Sequence, residues 1–188
     1  MKIDQFLDKY RLKRMSIEYS DLSKIYIQNT PNRPLDLLFS QKKPNYLLSE
    51  SPHFELASLY IKNGSKWLEK NYKLTLYYKM CKYFLKKNPV NTTLKMIKIC
   101  DSIKKGYLRK GYENNYIVLL LEPFAISRYN REIEFLVPEI FSGHHRAAIL
   151  LALGYKSVKV IIAEDVQKGF CESRGKIHDL CVKNNRYK

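Results

Sequence analysis

The residues best suited to chemistry lie in one short stretch, residues 141–148, which reads F-S-G-H-H-R-A-A. A strand-like run over residues 134–141 ends here, and a helix-like run follows at once. The first N–H groups of a helix lack internal partners and lie at its positive end, so they attract anions. Gly143 lets the backbone approach a ligand closely, and Arg146 offers a planar group matched to phosphate or carboxylate. The stretch therefore predicts an anion site, against the alternative of an ordinary turn followed by a solvated arginine.

A second polar group lies at the predicted start of another helix. Ser51 suits the N-cap position and Pro52 the first helical position. His53 and Glu55 then fall in the first turn, where they could face a ligand. The alternative is that they only cap the helix and complement its dipole. The same helix is expected to end near residues 63–64.

Helical and strand patterns predict the elements that position these residues. Apolar spacing predicts helices over residues 3–13, 74–85 and 94–103, the last capped by residues 91–93 and ended by Gly106. Strands are predicted over residues 116–121, 134–141 and 156–162. Pro138 would make the second of these an edge strand, a bulge or two pieces. We predict an α+β fold divided into a mainly helical region (1–90), a mixed helix-and-strand domain (91–165) and a basic C-terminal tail (166–188).

The composition admits several partners without selecting one. The formal charge of +16 favours contact with nucleic acid, because lysines and arginines near phosphates release counterions. Lysine outnumbers arginine, however, and is spread along the chain with abundant tyrosine, asparagine and isoleucine, which is typical of an AT-rich genome. The charge therefore permits binding to nucleic acid or to anionic membranes, but it does not identify a partner.

Cysteine and histidine usage argues against a zinc site or a disulfide framework. The four cysteines are far apart without a CxxC pair, and the four histidines would have to converge from distant segments. We therefore assign no metal ligands. No apolar run approaches the length of a membrane span, and the amphipathic N-terminus does not look like a signal peptide. These features predict a cytoplasmic protein.

Three motifs in residues 92–165 together resemble the ParB/sulfiredoxin superfamily. Residues 102–106, S-I-K-K-G, are similar to the family's S-I-x-x-x-G helix end, one residue short. Residues 142–148, S-G-H-H-R-A-A, resemble its G-x-x-R or G-x-H-R box. Residues 153–160, L-G-Y-K-S-V-K-V, resemble the L-G-x-x-x-V-x-V that follows. The resemblance implies a small mixed sheet of the family's type, here with an additional helical N-terminal region.

In this superfamily the box binds nucleotide phosphates, which assigns that role to Ser142, Gly143, His144, His145 and Arg146. Sulfiredoxins carry a cysteine where this chain has His144, so sulfinic acid reduction is not expected. ParB-type partition proteins bind CTP and carry a helix-turn-helix domain after the box. Too few residues follow the third predicted strand for such a domain, so we do not expect one.

Other members resemble free-serine kinases with an Asp-Gly-x-His-Arg box, in which Ser142 here replaces the aspartate. Glu139, Glu122 or Glu55 could supply a carboxylate instead. The resemblance thus implies a phosphotransferase acting on a small-molecule or glycan-linked hydroxyl, using Mg²⁺ with ATP, ADP or CTP. His145, Arg146 and Glu139 are its candidate catalytic residues. Adjacent helical residues point about 100° apart, so we favour His145, which occupies the family's histidine position, over His144.

Two alternatives to an enzyme remain open from the sequence. One is a non-catalytic nucleotide sensor or a DNA-binding module that uses the basic surface. The other is a degenerate family member with a structural role, since the aspartate of the box is missing.

Overall fold

The computed structural model describes residues 3–28, 38–39, 45–84, 88–106, 117–125 and 133–165, and within these ranges the chain is a mixture of helices and strands. The helices are α1 (Ile3–Lys9), α2 (Pro52–Asn71), α3 (Leu76–Phe84), α4 (Pro89–Lys104) and α5 (His144–Ala152). The strands are β1 (Leu12–Asp21), β2 (Tyr26–Gln28), β3 (Asn45–Leu47), β4 (Ile117–Ala125), β5 (Ile133–Ser142) and β6 (Ser157–Asp165).

The described strands form one six-stranded mixed sheet in the order β1-β6-β4-β5-β2-β3. β4 lies at its centre, antiparallel to β5 and parallel to β6. β1 pairs antiparallel with β6, while β2 runs parallel to β5 and antiparallel to β3. The predicted α+β class is therefore confirmed. Three strands from the first 90 residues belong to the same sheet as the strands of residues 117–165.

The two faces of the sheet bury different sets of residues. Ile117 and Leu119 of β4 pack in the large core with α2, α3, α4 and α5, whereas Val118 and Leu120 pack in a smaller core with Leu7 of α1. Successive residues of a strand point to opposite faces, so a strand covered on both faces must be apolar throughout. This explains the unbroken apolar run at the start of β4.

The helix starts follow from capping residues close in sequence. The Ser51 hydroxyl accepts a hydrogen bond from the Phe54 N–H at 3.1 Å and begins α2. α2 is interrupted at Gly64 (φ 80°), near the predicted end, and continues to Asn71. The Asn88 side chain accepts from the Asn91 N–H at 3.1 Å and begins α4. This start is earlier than the predicted cap at residues 91–93, because proline at position 89 suits the first helical turn.

The predicted helix over residues 3–13 is wrong in its second half. α1 ends at Lys9, the chain turns with Arg11 at φ 52°, and Leu12 begins strand β1. Leu12 falls opposite the apolar face that a continued helix would present, and it is buried in the smaller core as a strand residue. Pairing with β6 along its length, a tertiary interaction, overrides the local pattern here.

β5 runs without interruption through Pro138, which pairs with Leu121 of β4. β2 joins β5 on its other side at Glu139, the residue after the proline. The strand neither breaks nor bulges at Pro138 and lies inside the sheet, so the outcomes predicted for this proline are wrong. β4 also continues beyond the predicted end at residues 122–123, as far as Ala125. The predicted tail, residues 166–188, lies outside the described residues.

In the described part of the chain, none of the helices combines the length and the apolar character needed to cross a bilayer.

Candidate functional site

A left-handed glycine sets the direction of α5. Gly143 is the N-cap of α5 at φ 93° and ψ 17°, a conformation that costs an L-residue about 1–2 kcal/mol. It turns the chain from the end of β5 directly into the helix. Ala147 and Ala148 are fully buried against the other helices. The start of α5 is thus held by the large core and presents its first turn to a cleft.

The cleft has a volume of about 390 Å³ and is lined by residues from four helices and from the end of β5. The predicted phosphate-binding residues all line it: Ser142, Gly143, His144, His145 and Arg146. The remaining walls come from His53, Tyr77, Met80, Thr92, Ile99 and Phe141. The structure therefore brings together the whole predicted box and one member of the second polar group.

Tyr77 of α3 holds the imidazole of His145 in place. The Tyr77 hydroxyl and the Nε2 atom of His145 share a hydrogen bond of 2.6 Å. Tyr77 is almost fully buried, so its hydroxyl has a fixed position. A histidine oriented by a buried hydrogen-bonding partner is suited to accept or release a proton at a defined point.

His53 adds a third imidazole to this group. Its side chain is 5% exposed, and its ring centroid lies 5.1 Å from those of Tyr77 and His145. It stacks on His144 with a centroid separation of 5.5 Å and an interplanar angle of 28°. Helices α2 and α5 thus converge with their first turns at the same cleft, which the spacing of these residues in the sequence does not indicate.

Glu55, the other member of the second polar group, serves a different element. Its Oε2 atom accepts a hydrogen bond of 3.0 Å from the Leu76 N–H at the start of α3. Burial raises the pKa of this carboxyl above its ordinary value, against the opposing effect of backbone hydrogen bonds from Leu76 and Tyr77. Glu55 therefore caps the helix that carries Tyr77 and does not line the cleft.

This raised pKa predicts a pH dependence of stability. The folded protein holds the Glu55 proton more tightly than the unfolded chain, so the free energy of unfolding should fall as the pH rises from the ordinary value of 4.5 to the raised pKa. We expect Glu55→Gln to remove this component from urea denaturation curves measured across that window. Glu69→Gln, at an exposed glutamate of the same helix, is the control. If the free energy of unfolding depends on pH in the same way in wild type and Glu55→Gln, the pKa of Glu55 is not raised in the folded protein.

Glu139, the proposed catalytic carboxylate, lies on the other side of the sheet. It is 5% exposed and pairs with Leu120, whose side chain packs in the core under α1. Paired residues share a face, so Glu139 is separated by the sheet from α5. The Glu122 side chain lies outside the described part of the structure. Among the described residues that line the cleft, none is a carboxylate.

Several wall residues were not anticipated from the sequence. Tyr77 and Met80 belong to an apolar helical stripe that is typical of a core, and Thr92 belongs to the predicted cap at residues 91–93. A tyrosine within such a stripe carries no local signal that its hydroxyl meets a histidine 68 positions away.

Within the described residues, no group of three or more His, Cys, Asp or Glu side chains could hold a metal ion. The stacked rings of His53 and His144 give a reason. Imidazole lone pairs lie in the plane of the ring, so nearly parallel rings do not direct them to a common point.

No protein-family model, curated protein or solved structure matches this chain.

Proposed function

We propose that this protein is a ParB/sulfiredoxin-like nucleotide-binding protein whose cleft takes up the phosphate groups of a nucleotide at the start of α5. The observation that carries the proposal is that the predicted box lines a cleft together with His53 of α2 and Tyr77 of α3. An isolated turn with a solvated arginine would have no reason to face a buried histidine of α2 and a buried tyrosine of α3.

Charge and shape both support a phosphorylated ligand. The N-terminus of α5 contributes the positive end of its dipole. Arg146 contributes a guanidinium group that can donate two parallel hydrogen bonds to one phosphate. The cleft volume of about 390 Å³ falls within the range that small-molecule sites occupy. Met80, Ile99 and Phe141 form an apolar wall suited to the base or sugar.

The activity that we propose is transfer of a phosphoryl group to a hydroxyl of a small molecule or glycan. The acceptor oxygen forms a bond to the terminal phosphorus of the nucleotide, and the bond from that phosphorus to the bridging oxygen breaks. The acceptor proton passes to His145, and the shortened nucleotide leaves with the bridging electrons. Arg146 stabilises the charge on the transferred group. Such reactions depend mainly on positioning and electrostatics.

The described residues offer no set of ligands that fits Mg²⁺, since no carboxylate lines the cleft and no metal-binding group is found among them. Mg²⁺ usually takes one or two protein carboxylates together with substrate phosphates. We therefore assign the ion no step. Its requirement with ATP, ADP or CTP stays a prediction.

The lack of a carboxylate among the described residues of the cleft favours a second candidate, a non-catalytic nucleotide sensor. A cleft whose described walls lack a carboxylate can bind phosphates without activating an acceptor. The two candidates differ in turnover: a phosphotransferase releases a shortened nucleotide when an acceptor is present, and a sensor returns the nucleotide unchanged.

The test is a thermal-shift panel on the full chain with ATP, ADP and CTP, each with and without Mg²⁺, and with adenosine as the ligand without phosphate. A ligand at about 100 times its Kd adds about 2.7 kcal/mol of stability. For a chain of this size that raises Tm by roughly 5–10 °C. We expect such a shift with at least one nucleotide and none with adenosine. If none of the nucleotides shifts Tm, the proposal fails.

Gly143→Ala tests the site against a matched glycine at the other end of the same helix. Gly154, just beyond the end of α5, has φ 87°, close to the 93° of Gly143. Both alanine variants should lose about 1–2 kcal/mol of stability because both positions are left-handed. Only Gly143→Ala should also weaken nucleotide binding, measured by isothermal titration, because its backbone lines the cleft. Equal affinities in the two variants would place the ligand elsewhere.

A further inference from the structure

Residues 62–74, which we term the α2 lysine surface, combine exposed cations with exposed apolar side chains. The segment contains four lysines and one carboxylate, Glu69, in the second half of α2 and the turn that follows. Its lysines are all exposed: Lys62, Lys66, Lys70 and Lys73. The segment therefore carries four positive charges against the single negative charge of Glu69.

Two large apolar side chains stand among these lysines. Trp67 is 40% exposed and Leu74 is 70% exposed, whereas Leu68 between them is fully buried. Leu68 thus anchors the segment on the core and leaves Trp67 and Leu74 on the solvent side. A single exposed apolar residue is ordinary on a protein surface. Tryptophan and leucine together with lysines are typical of helices that lie at the interface of a bilayer.

The chemistry of these side chains favours an anionic bilayer over single-stranded nucleic acid as the partner. Single-stranded nucleic acid is bound by aromatic rings that stack on bases. Leu74, the most exposed apolar residue of the segment, cannot stack. It gains free energy only by leaving water. Tryptophan prefers the headgroup level of a bilayer, and lysines keep their ammonium groups among the headgroups while their stems lie on apolar surface.

The α2 lysine surface is separate from the cleft. The residues that line the cleft lie outside residues 62–74. α3, which follows the surface directly, carries Tyr77 and Met80 on its buried side. Docking through the surface therefore does not require any residue of the candidate site.

We propose that the α2 lysine surface docks this protein on an anionic phospholipid bilayer, with Trp67 and Leu74 inserted at the interface and the lysines among the headgroups. The argument rests on charge complementarity and on the exposure of both apolar side chains. It does not depend on nucleotide binding.

Trp67 is the single tryptophan of the sequence, so its fluorescence reports directly on this surface. The experiment titrates the full chain with vesicles of phosphatidylserine and phosphatidylcholine, and with vesicles of phosphatidylcholine alone. We expect a blue shift of Trp67 emission and co-flotation with the anionic vesicles, and neither with the neutral ones. An absent blue shift, or equal binding to both vesicles, overturns the proposal.

Two triple lysine variants separate the charge of the α2 lysine surface from the net charge of the protein. Replacing Lys66, Lys70 and Lys73 by glutamine should weaken binding by on the order of 100-fold, since each lysine near an anionic surface contributes about fivefold. The control replaces the exposed Lys95, Lys98 and Lys105 and should bind as wild type apart from a small general charge effect. An equal loss in both triple variants overturns the proposal, because net charge alone would then explain binding.

Leu74→Ser should weaken binding about tenfold, because it removes an inserted aliphatic group. Tyr19→Ser, at a residue that is 74% exposed on β1, is the control and should have no effect. If Leu74→Ser binds vesicles as wild type does, the bilayer proposal fails. It also fails if single-stranded DNA competes fully with vesicles and binds Leu74→Ser as tightly as wild type, because the surface then belongs to a polynucleotide.

Discussion

Arg146→Ala should reduce nucleotide affinity by roughly 10- to 150-fold and eliminate the thermal shift that the wild type shows at the same nucleotide concentration. Arg146 lines the cleft in the first turn of α5, so under the proposed function its guanidinium group and the helix N-terminus act on the same phosphate. A hydrogen bond to a charged group contributes about 1.5–3 kcal/mol, and about 1.4 kcal/mol corresponds to a tenfold change in Kd. Isothermal titration with the nucleotide selected by the panel measures the loss.

Arg146→Lys distinguishes charge from geometry at this position. Lysine keeps the charge but loses the planar fork that matches phosphate, so we expect intermediate affinity. The control is Arg14→Ala on β1, which removes an exposed arginine whose ion pair with Asp4, at 3.7 Å, contributes little to stability. Unchanged affinity in Arg146→Ala, or an equal loss in Arg14→Ala, would show that the phosphate does not bind at α5.

His145→Gln should lower the rate of phosphoryl transfer by about 10²- to 10⁴-fold while nucleotide affinity changes much less. This range is the usual contribution of a positioned general base. Glutamine retains a hydrogen-bonding group toward Tyr77 but cannot take up the acceptor proton at neutral pH. Single-turnover measurements with saturating nucleotide and an accepted hydroxyl substrate separate the chemical step from binding.

Tyr77→Phe tests whether the orientation of His145 matters as well as its presence. The variant loses the hydrogen bond of 2.6 Å but keeps the packing of the ring, so we expect a smaller loss in the transfer rate and an altered pH profile. Tyr72→Phe, at a partly buried tyrosine that does not line the cleft, is the matched control. If His145→Gln transfers phosphate at the wild-type rate, another group is the base. If the wild type shows no turnover with any acceptor, the sensor is the better description.

The predictions for Arg146 and His145 depend on the resemblance to the superfamily only at the box, residues 142–146. The order helix, strand, strand, glycine turn, helix, strand that was predicted for residues 92–165 is the order of α4, β4, β5, α5 and β6. That agreement concerns the succession of elements. The relationship to the superfamily itself stays a prediction, which nucleotide binding and turnover would support.

Some features of the protein followed from the sequence because their causes are local. A serine and a proline begin α2, and Gly143 and Gly154 bound α5, since capping bonds and left-handed φ angles involve residues a few positions apart. The same locality made residues 142–146 recognisable as a candidate phosphate site, because the N–H groups, the glycine and the arginine belong to one turn.

Other features were decided by tertiary structure alone. β1 is a strand because β6 lies beside it, although its residues are mostly exposed and show no alternation. Glu139 is removed from the cleft by the pairing register with Leu120, which no local pattern reveals. Glu55 turns to the start of α3, while His53, two residues earlier, faces His145. Helical neighbours two positions apart point in different directions, so the packing of α2 against α3 and α5 determines which of them joins the site.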